Sequence, residues 1–325
     1  MFEEYSDEIK EKKAKRIAIQ LPSGLKRKTP EILSELKTIV GDGVELLVLG
    51  DTAYGACDLR DIEAEKIGAD LMIHFGHASF RVKEAVPTVY VEFFSEQDIG
   101  PIVEKAAKEI NENTIGLLSV VQFSKQIEKA KEILEKTGKK VIIGQSRSRS
   151  KHAGQVLGCD FTAGTSMEKD VDCFLYIGTG NFHPGGVAMG TEKIVYVADP
   201  EREEIRDMNE LKDKLLRVRF AKIEAAKKAK RFGIIVSPKG GQNRLPYARK
   251  IASLLKTAGK EAFIVVVDEI TPHKLDEFMF DYWVCTACSR IAYDDEAVYK
   301  KMITPQEAEI VAGSREWKDY VVDHF

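Results

Sequence analysis

The chain has 325 residues, enough for two or three domains, and its 44% hydrophobic and 31% charged residues are those of a water-soluble globular protein. Lys and Arg number 49 against 52 Asp and Glu, so nothing in the charge points to a general nucleic-acid binder. No run approaches a membrane span, the acidic start Met1-Phe2-Glu3-Glu4-Tyr5-Ser6-Asp7 has no apolar signal core, and an odd count of 5 cysteines fits a reducing cytoplasm where thiols stay available for metal.

In chain order, Arg16-Ile17-Ala18-Ile19-Gln20-Leu21 predicts a strand, Pro22-Ser23-Gly24 a loop, and 29–40 an amphipathic helix. A second strand over 44–49 leads into Tyr54-Gly55-Ala56-Cys57-Asp58, and strands over 70–75 and 88–93 follow. The order then repeats. A strand over 115–121 runs through Gln122-Phe123-Ser124 into a Lys- and Glu-rich helix to about residue 137, then a strand over 140–143. Next come the basic run Arg147-Ser148-Arg149-Ser150-Lys151-His152, the segment Gly154-Gln155-Val156-Leu157-Gly158-Cys159-Asp160, and strands over 173–177 and 194–197. Residues 201–231 carry Leu211, Leu215, Leu216 and Val218 at helical spacing and read as a helical connector. Its Lys-rich end, 222–231, is a solvated face or a contact for an acidic partner.

The third copy starts with a strand over 232–237, the loop Pro238-Lys239-Gly240-Gly241-Gln242 and a helix to about residue 258. A strand over 262–267 and a short run over 282–284 precede Cys288, and the tail must complete this domain. Nearly continuous apolar strands alternating with helices predict parallel sheets covered on both faces. A period of about a hundred residues is too long for a solenoid repeat and suits three small α/β domains. These are expected over 1–100, 101–205 and 206–325, breaking near 98–113 and 200–230.

Cys57, Cys159 and Cys288 fall one to a copy, each read as following the second strand of a βαβ unit and each among small residues that leave a sulfur open. Three thiolates brought to one point, with a vacant fourth position, are the ligand set of a site-differentiated iron–sulfur cluster. The alternative is inert core thiols, since free Cys is among the most buried residue types. Cys285-Thr286-Ala287-Cys288 is the only close pair, and without a second CxxC or a nearby His pair it does not make a zinc site. Cys173 and Cys285 lie in apolar strands and read as buried thiols.

At Tyr54-Gly55-Ala56-Cys57, Gly154-Gln155-Val156-Leu157-Gly158-Cys159, Tyr176-Ile177-Gly178-Thr179-Gly180-Asn181-Phe182-His183-Pro184 and Ala287-Cys288-Ser289-Arg290-Ile291-Ala292-Tyr293-Asp294-Asp295, the chain resembles the archaeal diphthamide biosynthesis enzyme of the Dph1/Dph2 family, over nearly its whole length. The resemblance implies three tandem Rossmann-like subdomains around a central [4Fe–4S] cluster ligated by Cys57, Cys159 and Cys288. It further implies S-adenosylmethionine as co-substrate and radical transfer of its 3-amino-3-carboxypropyl group to a histidine of translation elongation factor 2. An electron donor and a homodimer are implied as well, and the family, like this chain, lacks the CxxxCxxC loop of most radical S-adenosylmethionine enzymes. Ser289 stands where the family's Ala-Cys-Pro-Arg pattern has proline, and Cys285 adds a second thiol beside Cys288.

The strand-to-helix loops at 22–24 and 238–242 present backbone N–H groups suited to a carboxylate, or are plain turns. Gln242 is the leading candidate for a side chain on S-adenosylmethionine, with Gly240, Gly178, Gly180, Tyr54 and Ala56 as further cofactor-binding candidates. His183, in a Gly-rich loop at a strand's carboxyl end, either contacts a ligand or is a structural histidine before Pro184. His74 and His77 read as packing or supporting residues. The run at 147–152 is a solvated loop or a recognition patch, and Arg290 is placed to offset cluster charge. Two competing functions remain open at this point. One is a Lewis-acid dehydratase resembling quinolinate synthase, and the other is a nucleotide-binding scaffold with buried thiols.

Overall fold

Three sheets repeat one strand order. In the computed structural model, which describes residues 2–80, 82–293 and 298–325, the first comprises β1 (Arg16–Gln20), β2 (Glu45–Leu49), β3 (Leu71–Phe75) and β4 (Thr88–Val91), ordered β2-β1-β3-β4. The second adds β5 (Thr114–Ser119), β6 (Lys140–Ile143), β7 (Cys173–Ile177), β8 (Ile194–Asp199) and β9 (Glu204–Asp207), ordered β6-β5-β7-β8-β9. The third holds β10 (Arg231–Val236), β11 (Glu261–Val266), β12 (Tyr282–Cys285) and β13 (Met302–Ile303), ordered β11-β10-β12-β13. Asp294 and Asp295 of the third cysteine motif lie outside the described residues.

The inner strands form where apolar runs are buried on both faces, as parallel sheets require, while the edge strand β2 has no fully buried residue. Leu71–Phe75 and Cys173–Ile177 are buried throughout. The helix Thr29–Val40 carries Pro30 in its first turn, buries Ile32 and Leu36 one turn apart, and ends at Gly41 with φ +85°. The helix Ile127–Lys136 buries Ile127, Ala130 and Leu134 on one stripe.

The chain divides into two compact units, Met1–Phe94 with Lys239–Gly241, and Ser95–Pro238 with Gln242–Phe325. The first has its core at Ile17, Ile19, Ile73 and Val89, with Phe2 edge-on to Phe75 at 5.4 Å. The second has one core around Leu117, Phe174 and Val197 and another around Ile234, Ile251 and Val284. Among the described residues no helix is long and apolar enough to cross a membrane.

Three expectations change. The 201–231 connector does not start as helix: a turn with Glu203 at φ 56° reverses the chain, and β9 pairs antiparallel with β8, Ala198 opposite Ile205, before the helix Asn209–Lys227. Cys57 and Cys159 follow the second strands of their sheets, but Cys288 follows β12, the third, so its placement is not equivalent to the others. The apolar run at 262–267 is not covered on both faces. It is an edge strand with Phe263, Ile264 and Val266 exposed.

Candidate functional site

All three half-exposed cysteines sit on loops at carboxyl ends of parallel strands, where α/β sheets place ligand sites. Cys173 and Cys285 are buried, and burial pushes their thiols up to about 12 and about 11. A thiol held neutral is a poor metal ligand. Among the described residues no group of three His, Cys, Asp or Glu side chains stands ready to hold a metal ion.

In the first unit Cys57 lies in a single 3-10 turn, Ala56–Asp58, closed by the Asp58 N–H donating to the Gly55 carbonyl at 3.0 Å. Asp58 is fully buried beneath the sulfur's loop, with Lys239 Nζ at 3.0 Å and Arg60 Nε at 3.3 Å from Oδ1. Burial raises its carboxyl and the two cations oppose that rise. Gln20 Nε2 donates to the Asp58 carbonyl at 2.7 Å, and Gln20 Oε1 accepts from His74 Nδ1 at 2.9 Å. His74 Nε2 lies 3.0 Å from His77 Nδ1. Burial first, then His77, pulls His74 down to about 3, so this histidine is a neutral link in a hydrogen-bonded chain under the loop.

Gly241 completes the clasp. A Cβ there would stand 2.3 Å from Cys57 Cα and 2.7 Å from its carbonyl oxygen, both backbone atoms that cannot swing away. We expect Gly241→Ala to shift the Cys57 turn and lower iron retention by about tenfold, in line with losses at residues that orient a metal ligand. Iron per chain after anaerobic reconstitution, compared with Gly240→Ala where a Cβ meets nothing within 4 Å, checks this.

In the second unit Asp160, the residue after Cys159, is fully buried. Its carboxylate accepts from Ser146 Oγ at 2.7 Å, the Arg149 and Ser150 N–H groups at 2.7 and 2.8 Å, and Ser150 Oγ at 3.1 Å. Thr162 adds its N–H at 3.1 Å and its hydroxyl at 2.6 Å. The basic run at 147–152 is therefore wrapped onto the cysteine loop by its backbone. Burial alone would raise Asp160, but these donors outweigh it and hold the carboxyl below its ordinary value of 3.8. Its stabilisation is then fully present above pH 3.8 and fades as pH falls through the lower folded value. Asp160→Ala should cost about 3 kcal/mol or more, because several buried donors lose a charged acceptor at once. Urea unfolding at neutral pH and near pH 3 checks both magnitude and sign, the gap between wild type and variant narrowing in acid.

The other side of the Cys159 loop packs on the helix Phe182–Gly190. A Cβ on Gly158 would meet the Phe182 ring at 2.3 Å, and one on Gly186 the Gly158 carbonyl at 2.9 Å. The chain's last residues strap this loop: the Phe325 N–H donates to the Cys159 carbonyl at 2.9 Å, and its ring lies under Arg149 at 3.8 Å and Arg244 at 4.5 Å. Arg244 also pairs with Asp323 at 2.9 Å.

A cavity of about 510 Å³ opens beside this loop and Arg290, lined by Gly158, Gly180, Phe182, His183, Lys214 and Tyr293 among others. Burial first and Arg290 second pull His183 down to about 4, so it faces the cavity as neutral imidazole. Of the residues singled out in the sequence, Gly180, His183 and Arg290 meet here, while Gly178, Gly240 and buried Gln242 do not line this cavity. In the first unit Tyr54 is 61% exposed, with Lys239 Nζ 5.4 Å from its ring, and Ala56 is buried. Sequence reasoning missed Asp58, Asp160, Lys239 and Phe325. The one available signal was that Cys57 and Cys159 are each followed by Asp.

The 2-(3-amino-3-carboxypropyl)histidine synthase of Pyrococcus horikoshii is 37% identical over 312 residues, 95% of this chain and 89% of that protein. Subunit 1 of the synthase of the same name from Dictyostelium discoideum is 30% identical, over 98% of this chain and 69% of its own. The crystal structure of Dph2 from Pyrococcus horikoshii with a 4Fe-4S cluster matches with TM-score 0.91 at 36% identity, covering 99% of this chain and 92% of that one. A family model described as "Putative diphthamide synthesis protein" matches residues 21–322. The chain belongs to the diphthamide synthesis protein family.

Proposed function

We propose that this chain is a 3-amino-3-carboxypropyl transferase acting in the cytoplasm on a histidine of translation elongation factor 2, the first step of diphthamide biosynthesis. The observation that carries this reading is similarity along 95% of the chain to a 2-(3-amino-3-carboxypropyl)histidine synthase. Cys57, Cys159 and Cys288 are the proposed ligands of a [4Fe–4S] cluster. What supports this ligand set is exposure: the thiols on strand-end loops are half-exposed, while the two remaining thiols are buried and held neutral. When bound, the cluster supplies the electron that breaks the bond from the sulfonium sulfur to the methionine Cγ, leaving 5′-methylthioadenosine.

The chain's own residues position and exclude. The Asp58 and Asp160 networks fix two cysteine loops, and Arg290 brings positive charge to the third. Gln242, Gly240, Gly178, Gly180, His183, Tyr54 and Ala56 are the proposed S-adenosylmethionine contacts. Neutral His183 fits a role as hydrogen-bond partner rather than counter-ion. Two copies of the chain form the working particle. The test is to incubate the reduced, reconstituted protein with S-adenosylmethionine, with and without elongation factor 2. Methylthioadenosine and one modified histidine are expected. 5′-Deoxyadenosine as the main product, or no cleavage by a protein with its cluster assembled, would overturn the reading.

A further inference from the structure

Two hydroxyls are buried on either side of Cys288, and only one of them is satisfied. Thr286 is fully buried, and its hydroxyl donates to the Ile235 carbonyl at 2.6 Å. Ser289 is 1% exposed, and its Oγ has no hydrogen-bond partner among the described residues. A serine at such a place ordinarily bonds to a nearby backbone group. The Cys288 carbonyl, the nearest one before it, already accepts from the Ile291 N–H at 3.3 Å and from the Cys285 sulfur at 3.5 Å. A buried hydroxyl without a partner gives up its bonds to water and gains none, whereas alanine would fill nearly the same space without that cost.

We infer that Ser289 tunes the proposed cluster: its hydroxyl donates to an anionic sulfur of the cluster held at Cys288 and raises the reduction potential. This inference rests on the ligation by Cys288 in the proposed function and on none of its substrate chemistry. Tyr176 Oη and Gln306 Oε1 are also buried without a partner among the described residues, but neither adjoins a proposed ligand. Ser289 is the next residue after one, so the acceptor its hydroxyl lacks is of the kind that a cluster brings to that place.

The sign of the effect follows from charge. One-electron reduction adds negative charge to the cluster and its sulfurs, so a donated hydrogen bond is stronger in the reduced state and makes reduction easier. The serine itself keeps its proton, and no bond to it is made or broken. Arg290, the next residue, lines the cavity with positive charge, so both residues after Cys288 act in the same direction.

Redox titration of the anaerobically reconstituted full chain, followed by electron paramagnetic resonance of the reduced cluster, reads the potential. At a fixed poise Ser289→Ala should lower the reduced-to-oxidised ratio about tenfold, a shift of about 59 mV to more negative potential for one electron. In heavy water, pulsed electron–nuclear double resonance of the reduced wild type should show an exchangeable deuteron at the cluster that Ser289→Ala lacks. The cluster-free chain gives a reading that a merely structural hydroxyl would reverse. There Ser289→Ala should keep or raise the urea midpoint, because it removes an unsatisfied buried group. The wild-type deuteron signal and the cluster-free measurement decide even for a variant that loads less iron. An unchanged potential in the loaded variant, a wild type without an exchangeable deuteron at its cluster, or a lowered urea midpoint in the cluster-free variant would each overturn the inference and leave the ligand assignment standing. A wild type that assembles no cluster would overturn the proposed ligation, and this inference with it.

Discussion

Replacing Cys57, Cys159 or Cys288 by alanine should strip iron from the reconstituted chain, each change by at least about tenfold, while Cys173→Ala and Cys285→Ala retain it. Losing a residue that merely orients a ligand already costs about 10–100-fold in metal affinity, and losing the thiolate itself costs more. The contrast between the two sets is the informative part. Cys285 lies three residues from Cys288 and its sulfur donates to the Cys288 carbonyl at 3.5 Å, so proximity alone does not separate them. Burial does: Cys285 is 0% exposed and its thiol is pushed up to about 11, whereas Cys288 is half-exposed on the strand-end loop. Iron and sulfide per chain, with the cluster's absorption, are the measurements. Iron lost from Cys285→Ala but kept in Cys288→Ala would reverse the assignment.

The largest stability effect is expected at Arg219, which is fully buried with Glu307. Its Nε donates to Glu307 Oε1 at 2.7 Å, Nη1 to the Ala292 carbonyl at 2.7 Å and Nη2 to the Met302 carbonyl at 3.1 Å, with a further short contact to Glu307 Oε2. Burial alone would lower the guanidinium's pKa, but Glu307 more than offsets this and keeps it charged. Arg219→Leu takes the cation from a buried carboxylate that keeps only the Thr304 N–H and the Tyr320 hydroxyl as donors, and takes the guanidinium from two carbonyls; it should cost about 3–5 kcal/mol. Adding Glu307→Leu should recover part of that loss, though not all, because the Ala292 and Met302 carbonyls stay unpaired. Because Ala292 lies in the short helix Ser289–Tyr293 that follows Cys288, the single variant should also hold iron less well. Denaturant unfolding of the two variants checks the energies. Equal stability of Arg219→Leu and wild type would show that the pair contributes nothing.

Regular elements were legible because their signal is local. The helix over 29–40 was fixed by its own stripe of Ile32 and Leu36 and by Pro30, and the structure has it at Thr29–Val40. Strands such as Lys140–Ile143 and Cys173–Ile177 stood out as uninterrupted aliphatic runs. The cysteine motifs carried the family resemblance for a similar reason: Gly-Cys and Ala-Cys segments are contiguous in the chain. β9 was hidden because three charged residues around a single Ile205 become a strand only when the turn at Glu203 lays them on β8.

What the sequence determined by itself was the three-fold alternation of strand and helix, the cysteine-bearing loops and the family. Each of these follows from the side chains of neighbours along the chain. What only the tertiary structure decided was which polar groups are buried against which. Asp58 meets Lys239, Asp160 gathers Ser146 and Thr162, Arg219 meets Glu307, and Phe325 straps Cys159. It also decided that the apolar run at 262–267, written like a buried strand, stands at an edge with half its surface bare. No periodicity encodes these facts, because burial and partner depend on strand order, and strand order is set by long-range packing rather than by adjacent residues.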